Sequence, residues 1–227
     1  MIYIKDKDFN SAWARLIHQI ILFGNKRIIG DINEPKNITD ETSVIELYGN
    51  AINQIENNEI HSDYPFKFID RYLDEFTYEF DHSKFVYTAM DRMFNREIDQ
   101  LIYLRFNLKD QIETGISSNR GNSVLWDIEK DTTSGSPICP QRIWIKHIKD
   151  RKVEVHFTWR SRDAFSAWQA DIISMTYMIN KYVIKPNNAK IIKIIDYCDS
   201  VHIYDSDMNN AKKVKLVNIN PQVIYYE

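Results

Sequence analysis

The run "RIWIKHIKDRKVEVHFTWR", residues 142–160, alternates apolar and polar side chains on both sides of a short charged turn. A period of two sends successive side chains to opposite faces of a strand, so the stretch predicts a β-hairpin turning at Asp150 to Lys152. Val153, Val155, Phe157 and Trp159 make one face, and Glu154, His156, Thr158 and Arg160 the other. Any fold of this chain must cover the first face and keep the second polar.

Other stretches carry a helical period. "FNSAWARLIHQIILFG" spaces Trp13, Leu16, Ile17, Ile20 and Ile21 along one helix face, with Asn10 or Ser11 as cap and Gly24 as stop. A helix is expected near "FKFIDRYLDEFTYEF", a long one over 91–110 and another over 163–184, ended by Pro186. Residues 30–42 read as a polar loop, and "SVIELYGNAINQIEN" as an extended strand with Gly49 as a bulge. After a loop at 114–123, "SVLWDI" reads as a short strand, and "KDTTSGSP" as an exposed turn leading into Pro137, Ile138, Cys139 and Pro140. "AKIIKIIDY" and "SVHIY" are two further strand candidates. With no repeat or composition shift, residues 1–227 are expected to form one α+β domain around a mixed or antiparallel sheet flanked by helices.

Composition narrows the function classes. The chain has 227 residues, 44% of them hydrophobic, enough for one sizeable core. A net charge of -3 gives no electrostatic footprint for nucleic acid as the main partner. "LIHQIILFG" is too short for a transmembrane span, so a cytoplasmic protein without membrane contact is expected. The two cysteines cannot build a disulfide framework, and no Cys or His spacing suggests a metal. Glycine-rich phosphate cradles are absent, so side chains must hold any phosphate.

Taken alone, Cys139 between two prolines reads as a structural cysteine, because a reactive one needs a basic neighbour to stabilise its thiolate. The cluster Arg160, Ser161, Arg162, Asp163 reads equally as surface charge. Asp171 falls among Ala167, Trp168, Ser174 and Met175 with few obvious partners, and an unpaired buried carboxylate is costly. A ligand would relieve that cost; so would a backbone amide or a distant arginine.

The order "PIC", hairpin, "RSRD", helix, "SVHIY" resembles the thymidylate synthase superfamily, which includes the phage deoxycytidylate hydroxymethylases. The likeness is strongest over residues 117–204 and traceable from "ELYGNAI" onward. It implies a homodimer packed through a sheet face, and one-carbon transfer from 5,10-methylenetetrahydrofolate to C5 of a pyrimidine nucleoside monophosphate. Cys139 matches the nucleophile that adds to C6, and Arg160 the guanidinium that favours its thiolate. Arg160 and Ser161 would bind the nucleotide phosphate, Asp163 would seat the pyrimidine, and His202 with Tyr204 would bond the sugar 3′ hydroxyl; without the resemblance that pair reads as half-buried strand polars. Glu75 in "DEFTY" matches the catalytic glutamate, with Glu79 or a plain solvated face as alternatives. Arg120 matches one of two arginines donated across the dimer to the partner's phosphate; Asn119 stands where the other is usual. Ala89 and Met90 depart from a Tyr-Gly pair, for which Tyr87 is a candidate replacement.

Asp171 matches the base-recognition position, an asparagine in the synthases and an aspartate in the hydroxymethylases. A carboxyl group suits the amine at C4 of cytosine better than the carbonyl of uracil. Ser200 likewise stands where the synthases usually have aspartate. The resemblance therefore implies conversion of dCMP to 5-hydroxymethyl-dCMP; thymidylate synthesis or hydroxymethylation of dUMP, and a catalytically silent nucleotide-binding protein, are the alternatives.

Overall fold

The fold was analysed in a computed structural model, which describes residues 1–30, 33–95 and 97–216. In chain order the elements are β1 (Ile2–Asp6), α1 (Phe9–Phe23), β2 (Asn25–Ile29), β3 (Lys36–Tyr48), α2 (Asn50–Glu56), α3 (Ile69–Leu73), α4 (Ala89–Phe94) and α5 (Gln100–Thr114). Then come β4 (Asn122–Val124), α6 (Ile128–Asp131), β5 (Pro140–Lys149), β6 (Lys152–Trp159), β7 (Arg162–Asp163), α7 (Trp168–Ile179), β8 (Lys190–Tyr204) and α8 (Met208–Ala211).

The strands form one mixed sheet in the order β1-β3-β8-β6-β5-β4. β3 and β8 run antiparallel through its centre, while β6 and β7 lie parallel to β8 and β1 parallel to β3. β2 pairs antiparallel with the first half of β3. The β5–β6 hairpin forms as its alternation predicts: Val153, Val155, Phe157 and Trp159 are at most 3% exposed, and they join one continuous core with α1, α5 and α7. The α+β class and the mixed sheet flanked by helices follow the expectation. The opposite sheet face is polar and half-buried: Lys193 reaches Glu154 at 3.2 Å, Lys5 reaches Glu46 at 2.9 Å, and Trp144 meets His156 edge to face at 4.8 Å. Among the described residues, no helix is long and apolar enough to cross a membrane.

Several boundaries differ from the sequence reading. The strand read through residues 43–57 ends at Tyr48 and begins at Lys36, inside the expected loop. Gly49 is no bulge: at φ 59° it turns the chain out of β3 into α2, whose Ala51, Ile52 and Ile55 are buried at helical spacing. A left-handed backbone at that point favours glycine. The long helix over 91–110 divides into α4 and α5, because Asp99 caps the second by accepting from the Ile102 amide at 3.0 Å; Arg96 lies outside the described residues. The helix expected near residue 66 is only α3 and a 3-10 turn at Asp74–Phe76. α1 is capped by Asp8, whose carboxylate takes the Ser11 amide at 2.7 Å, rather than by Asn10 or Ser11. The helix expected from 163 starts at Trp168, and "AKIIKIIDY" with "SVHIY" is one continuous strand.

Candidate active site

The site is built where β6 ends and the chain turns through β7 into α7. Asp163 folds that turn, its Oδ1 accepting the amides of Phe165 at 2.9 Å and Ser166 at 3.0 Å. Tyr64 fixes the entry of α7: its hydroxyl donates to the Ser166 carbonyl at 2.7 Å and accepts the Ala170 amide at 3.2 Å. The geometry leaves Asp171 on the wall of a cavity of about 530 Å³, with Glu75, Tyr72 and Arg71 around it and Phe66 and Phe68 as apolar lining. A second cavity of about 580 Å³ lies at the β5–β6 turn, around Asp150, Arg151 and Lys152, and none of the motif residues lines it.

Asp171 has more partners than its neighbours in sequence suggest, and the arginine left open as an alternative to a ligand is among them. Arg162 Nε donates to its Oδ2 at 3.0 Å, and the Tyr72 hydroxyl donates to its Oδ1 at 3.3 Å. Arg162 is 2% exposed and held from behind: Nη1 meets Asp196 at 2.8 and 3.0 Å, and the guanidinium lies 3.9 Å from the centroid of the Trp159 ring. Asp196, fully buried, also accepts the indole N–H of Trp159 at 2.8 Å and of Trp168 at 2.9 Å. Burial raises the Asp171 carboxyl above its ordinary range, and the charge of Arg162 opposes that rise. Nothing in the spacing of "RSRD" reveals Arg162, because its partners lie nine and thirty-four positions away.

Cys139 is half-buried immediately before β5. Burial raises its thiol above the ordinary value; the charges of Arg160 and Arg162 and the nearby Tyr87 hydroxyl pull the other way. The phenol of Tyr87 is itself pushed up to about 12, chiefly by burial, so it stays a donor at neutral pH. Arg160 straps the cysteine loop, donating from Nε to the Ile138 carbonyl at 3.0 Å and from Nη2 to that of Pro137 at 2.6 Å. A second support comes from Asp131, which accepts the Ile138 amide at 3.2 Å while pairing with buried Arg92 at 2.9 and 3.1 Å. Sequence reasoning missed Arg92 and Asp131, whose separation of thirty-nine positions carries no motif.

Glu75 lines the cavity and its carboxyl is raised by burial, whereas Glu79 is exposed. Of the two glutamates, Glu75 is the one beside Asp171. His202 is 3% exposed; its Nδ1 lies 3.2 Å from the Ser200 carbonyl, and its Nε2 is buried without a hydrogen-bond partner among the described residues. Tyr204 meets it edge to face at 4.8 Å, its phenol raised above the ordinary value chiefly by burial. Asp163 pairs in register with His202 across β7 and β8. Ser161 is half-buried beside Arg160. Arg120 stands apart: its side chain is exposed on the loop before β4, while its carbonyl accepts the Tyr103 hydroxyl at 2.6 Å. Ser200 donates to Asp40 at 2.6 Å, and Arg27 bonds that same carboxylate.

This architecture has known counterparts. The chain superposes on thermostable thymidylate synthase A from Bacillus subtilis with a TM-score of 0.61, over 90% of this chain and 83% of that one, at 15% sequence identity. The fold is thymidylate synthase-like. In sequence the chain is 28% identical over 147 residues to a "Putative thymidylate synthase" of Methanothermobacter thermautotrophicus. That alignment spans 64% of this chain and 63% of the relative, less than two thirds of its length. No protein-family model matches the chain.

Proposed function

We propose that the protein transfers a one-carbon unit from 5,10-methylenetetrahydrofolate to C5 of dCMP, giving 5-hydroxymethyl-dCMP. The observation that carries this reading is Asp171 facing the cavity, at the position that meets the pyrimidine edge in the family it resembles. A carboxyl group there accepts from the exocyclic amine of cytosine, which uracil lacks.

Cys139 Sγ forms a bond to C6 and leaves again once C5 has lost its proton, so one difficult substitution becomes two easier steps. Burial, which raises the thiol, works against this use and has to be offset. The charges of Arg160 and Arg162 offset it by favouring the thiolate, and the Tyr87 hydroxyl is near enough to help. Glu75, its carboxyl raised by burial, is suited to hold a proton and pass it to water near the base. The unpartnered Nε2 of His202 and the hydroxyl of Tyr204 meet the 3′ hydroxyl of the sugar. Asp163 seats the base through its turn, and Ser161 with Arg160 receives the phosphate, the guanidinium keeping its grip on the cysteine loop.

The lining fits the folate: Phe66 and Phe68 supply faces for a flat heteroaromatic ring beside Tyr72 and Asp171. The folate would supply the carbon transferred to C5, and water the hydroxyl oxygen. The protein is proposed to act as a homodimer through the polar sheet face, with Arg120 reaching the partner's phosphate. A second reading, methylation of dUMP, is favoured by the names of the two similar proteins.

The test is a competition assay with equal dCMP and dUMP, methylenetetrahydrofolate and mass spectrometry of the nucleotides. Hydroxymethyl-dCMP is expected. Methyl-dUMP would overturn the base and the outcome, and no product would leave nucleotide binding alone. Cys139→Ser should lower turnover by at least about a thousandfold if the thiol is the nucleophile.

A further inference from the structure

Arg162 leaves Asp171 with one free edge. Its Nε holds Oδ2 at 3.0 Å, and the guanidinium cannot swing away because Asp196 grips it at 2.8 and 3.0 Å and Trp159 covers its face. Asp196 in turn is saturated by two guanidinium and two indole bonds. Only Oδ1 is offered to a ligand, and the group beside Oδ1 is the Tyr72 hydroxyl at 3.3 Å. A pyrimidine edge presents two adjacent polar atoms, so one oxygen satisfies half of it.

We propose that Tyr72 is the other half of the base reader: Asp171 Oδ1 accepts from the N4 amine of cytosine while the Tyr72 hydroxyl donates to N3. The proposal rests on the dCMP reading above. Tyr72 is well placed for the task. It lines the cavity with Asp171, and its ring is locked edge to face between Phe66 at 5.7 Å and Phe76 at 5.4 Å. Its 3.3 Å bond to Asp171 is long, so little is lost when the hydroxyl turns to a ligand. Burial keeps the phenol protonated at any ordinary pH, which makes it a donor toward an acceptor such as N3. A site that leaves a polar group unpaired against the wrong base discriminates strongly.

The experiment measures equilibrium binding of dCMP, dUMP and 3-deaza-dCMP, which carries C–H where cytosine has N3, to the full chain and to Tyr72→Phe. The wild-type protein should bind dCMP roughly tenfold more tightly than 3-deaza-dCMP, the loss expected for one buried hydrogen bond. In Tyr72→Phe that ratio should fall to about one, because the deleted atoms are partners and their losses do not add. An unchanged ratio in Tyr72→Phe overturns the Tyr72 assignment while leaving the dCMP reading in place. Wild-type preference for dUMP over dCMP overturns the dCMP reading itself and the assignment with it. A thermal midpoint for Tyr72→Phe within about 4 °C of wild type, roughly 1 kcal/mol in a chain of this size, keeps the comparison one of folded proteins.

Discussion

Two buried arginine–aspartate pairs brace this protein, and they end differently. Arg92 binds Asp131 at 2.9 and 3.1 Å, and Asp131 is closed off by the amides of Asp127 at 2.7 Å and Ile138 at 3.2 Å. Arg162 binds Asp196, which two indoles close off as completely, but it also extends its Nε to Asp171, whose second oxygen has, among the described residues, only the long bond from Tyr72. The first pair is a strut under the cysteine loop. The second is the same device with one carboxylate left open toward a cavity. Saturation of hydrogen-bonding capacity, more than burial or charge, separates a structural carboxylate from one available to a ligand.

The largest effects should come from breaking either strut. Arg162→Ala leaves Asp196 and Asp171 without their cation, and Arg92→Ala does the same to Asp131; each should cost about 3–5 kcal/mol, read by denaturant unfolding. If Arg162→Ala costs under about 1 kcal/mol, the buried network is not the brace described. The carboxylates should then divide the two regions. Asp131→Asn should lower stability by about 2–3 kcal/mol and leave the preference between dCMP and dUMP untouched. Asp171→Asn should cost less stability and move the preference toward dUMP. A change of preference in Asp131→Asn, or none in Asp171→Asn, would erase the distinction.

That distinction was half legible in the sequence. The hairpin, α1, Cys139, Asp171 and the His202–Tyr204 pair follow from local period or from the order of short motifs. The strand read through Gly49 failed because "SVIELY" and "AINQIE" are both rich in β-branched or apolar residues, and only a backbone turn at one glycine separates them. Arg162 was in view within "RSRD", yet its role depends on Trp159, Trp168, Asp171 and Asp196 converging from three elements. Such convergence is a property of tertiary packing and leaves no spacing to read.

A smaller effect concerns pH. Burial holds His202 below the ordinary histidine value, so on acidification the unfolded chain takes up its proton first. The stability contributed by neutral His202 is therefore full above about pH 6.5 and is lost as pH falls toward the folded value, by at most about 1.4 kcal/mol per pH unit. Asp163 and Asp171, raised by burial, act in the opposite sense: their contribution is full below about pH 4 and lost as pH rises through their raised values. Unfolding followed between pH 7.5 and 5.5 in wild type and His202→Asn isolates the histidine, and the variant should show the shallower loss. Equal slopes would mean that His202 is not protected from protonation in the fold.

The smallest effect on stability belongs to Arg120, and it is informative for that reason. Its exposed side chain braces nothing described within the chain, so Arg120→Ala should leave the thermal midpoint within about 2 °C of wild type. If the proposed dimer brings this guanidinium to the partner's phosphate, the same change should weaken nucleotide binding roughly tenfold, as expected for a charge-assisted hydrogen bond. Mixing Arg120→Ala with Cys139→Ser chains decides between the two accounts. In a shared site, the heterodimer contains one site with both an intact thiol and an intact Arg120 from its partner, so turnover returns on mixing. In a site confined to one chain, the only thiol in the heterodimer stays with the altered arginine, and mixing restores nothing.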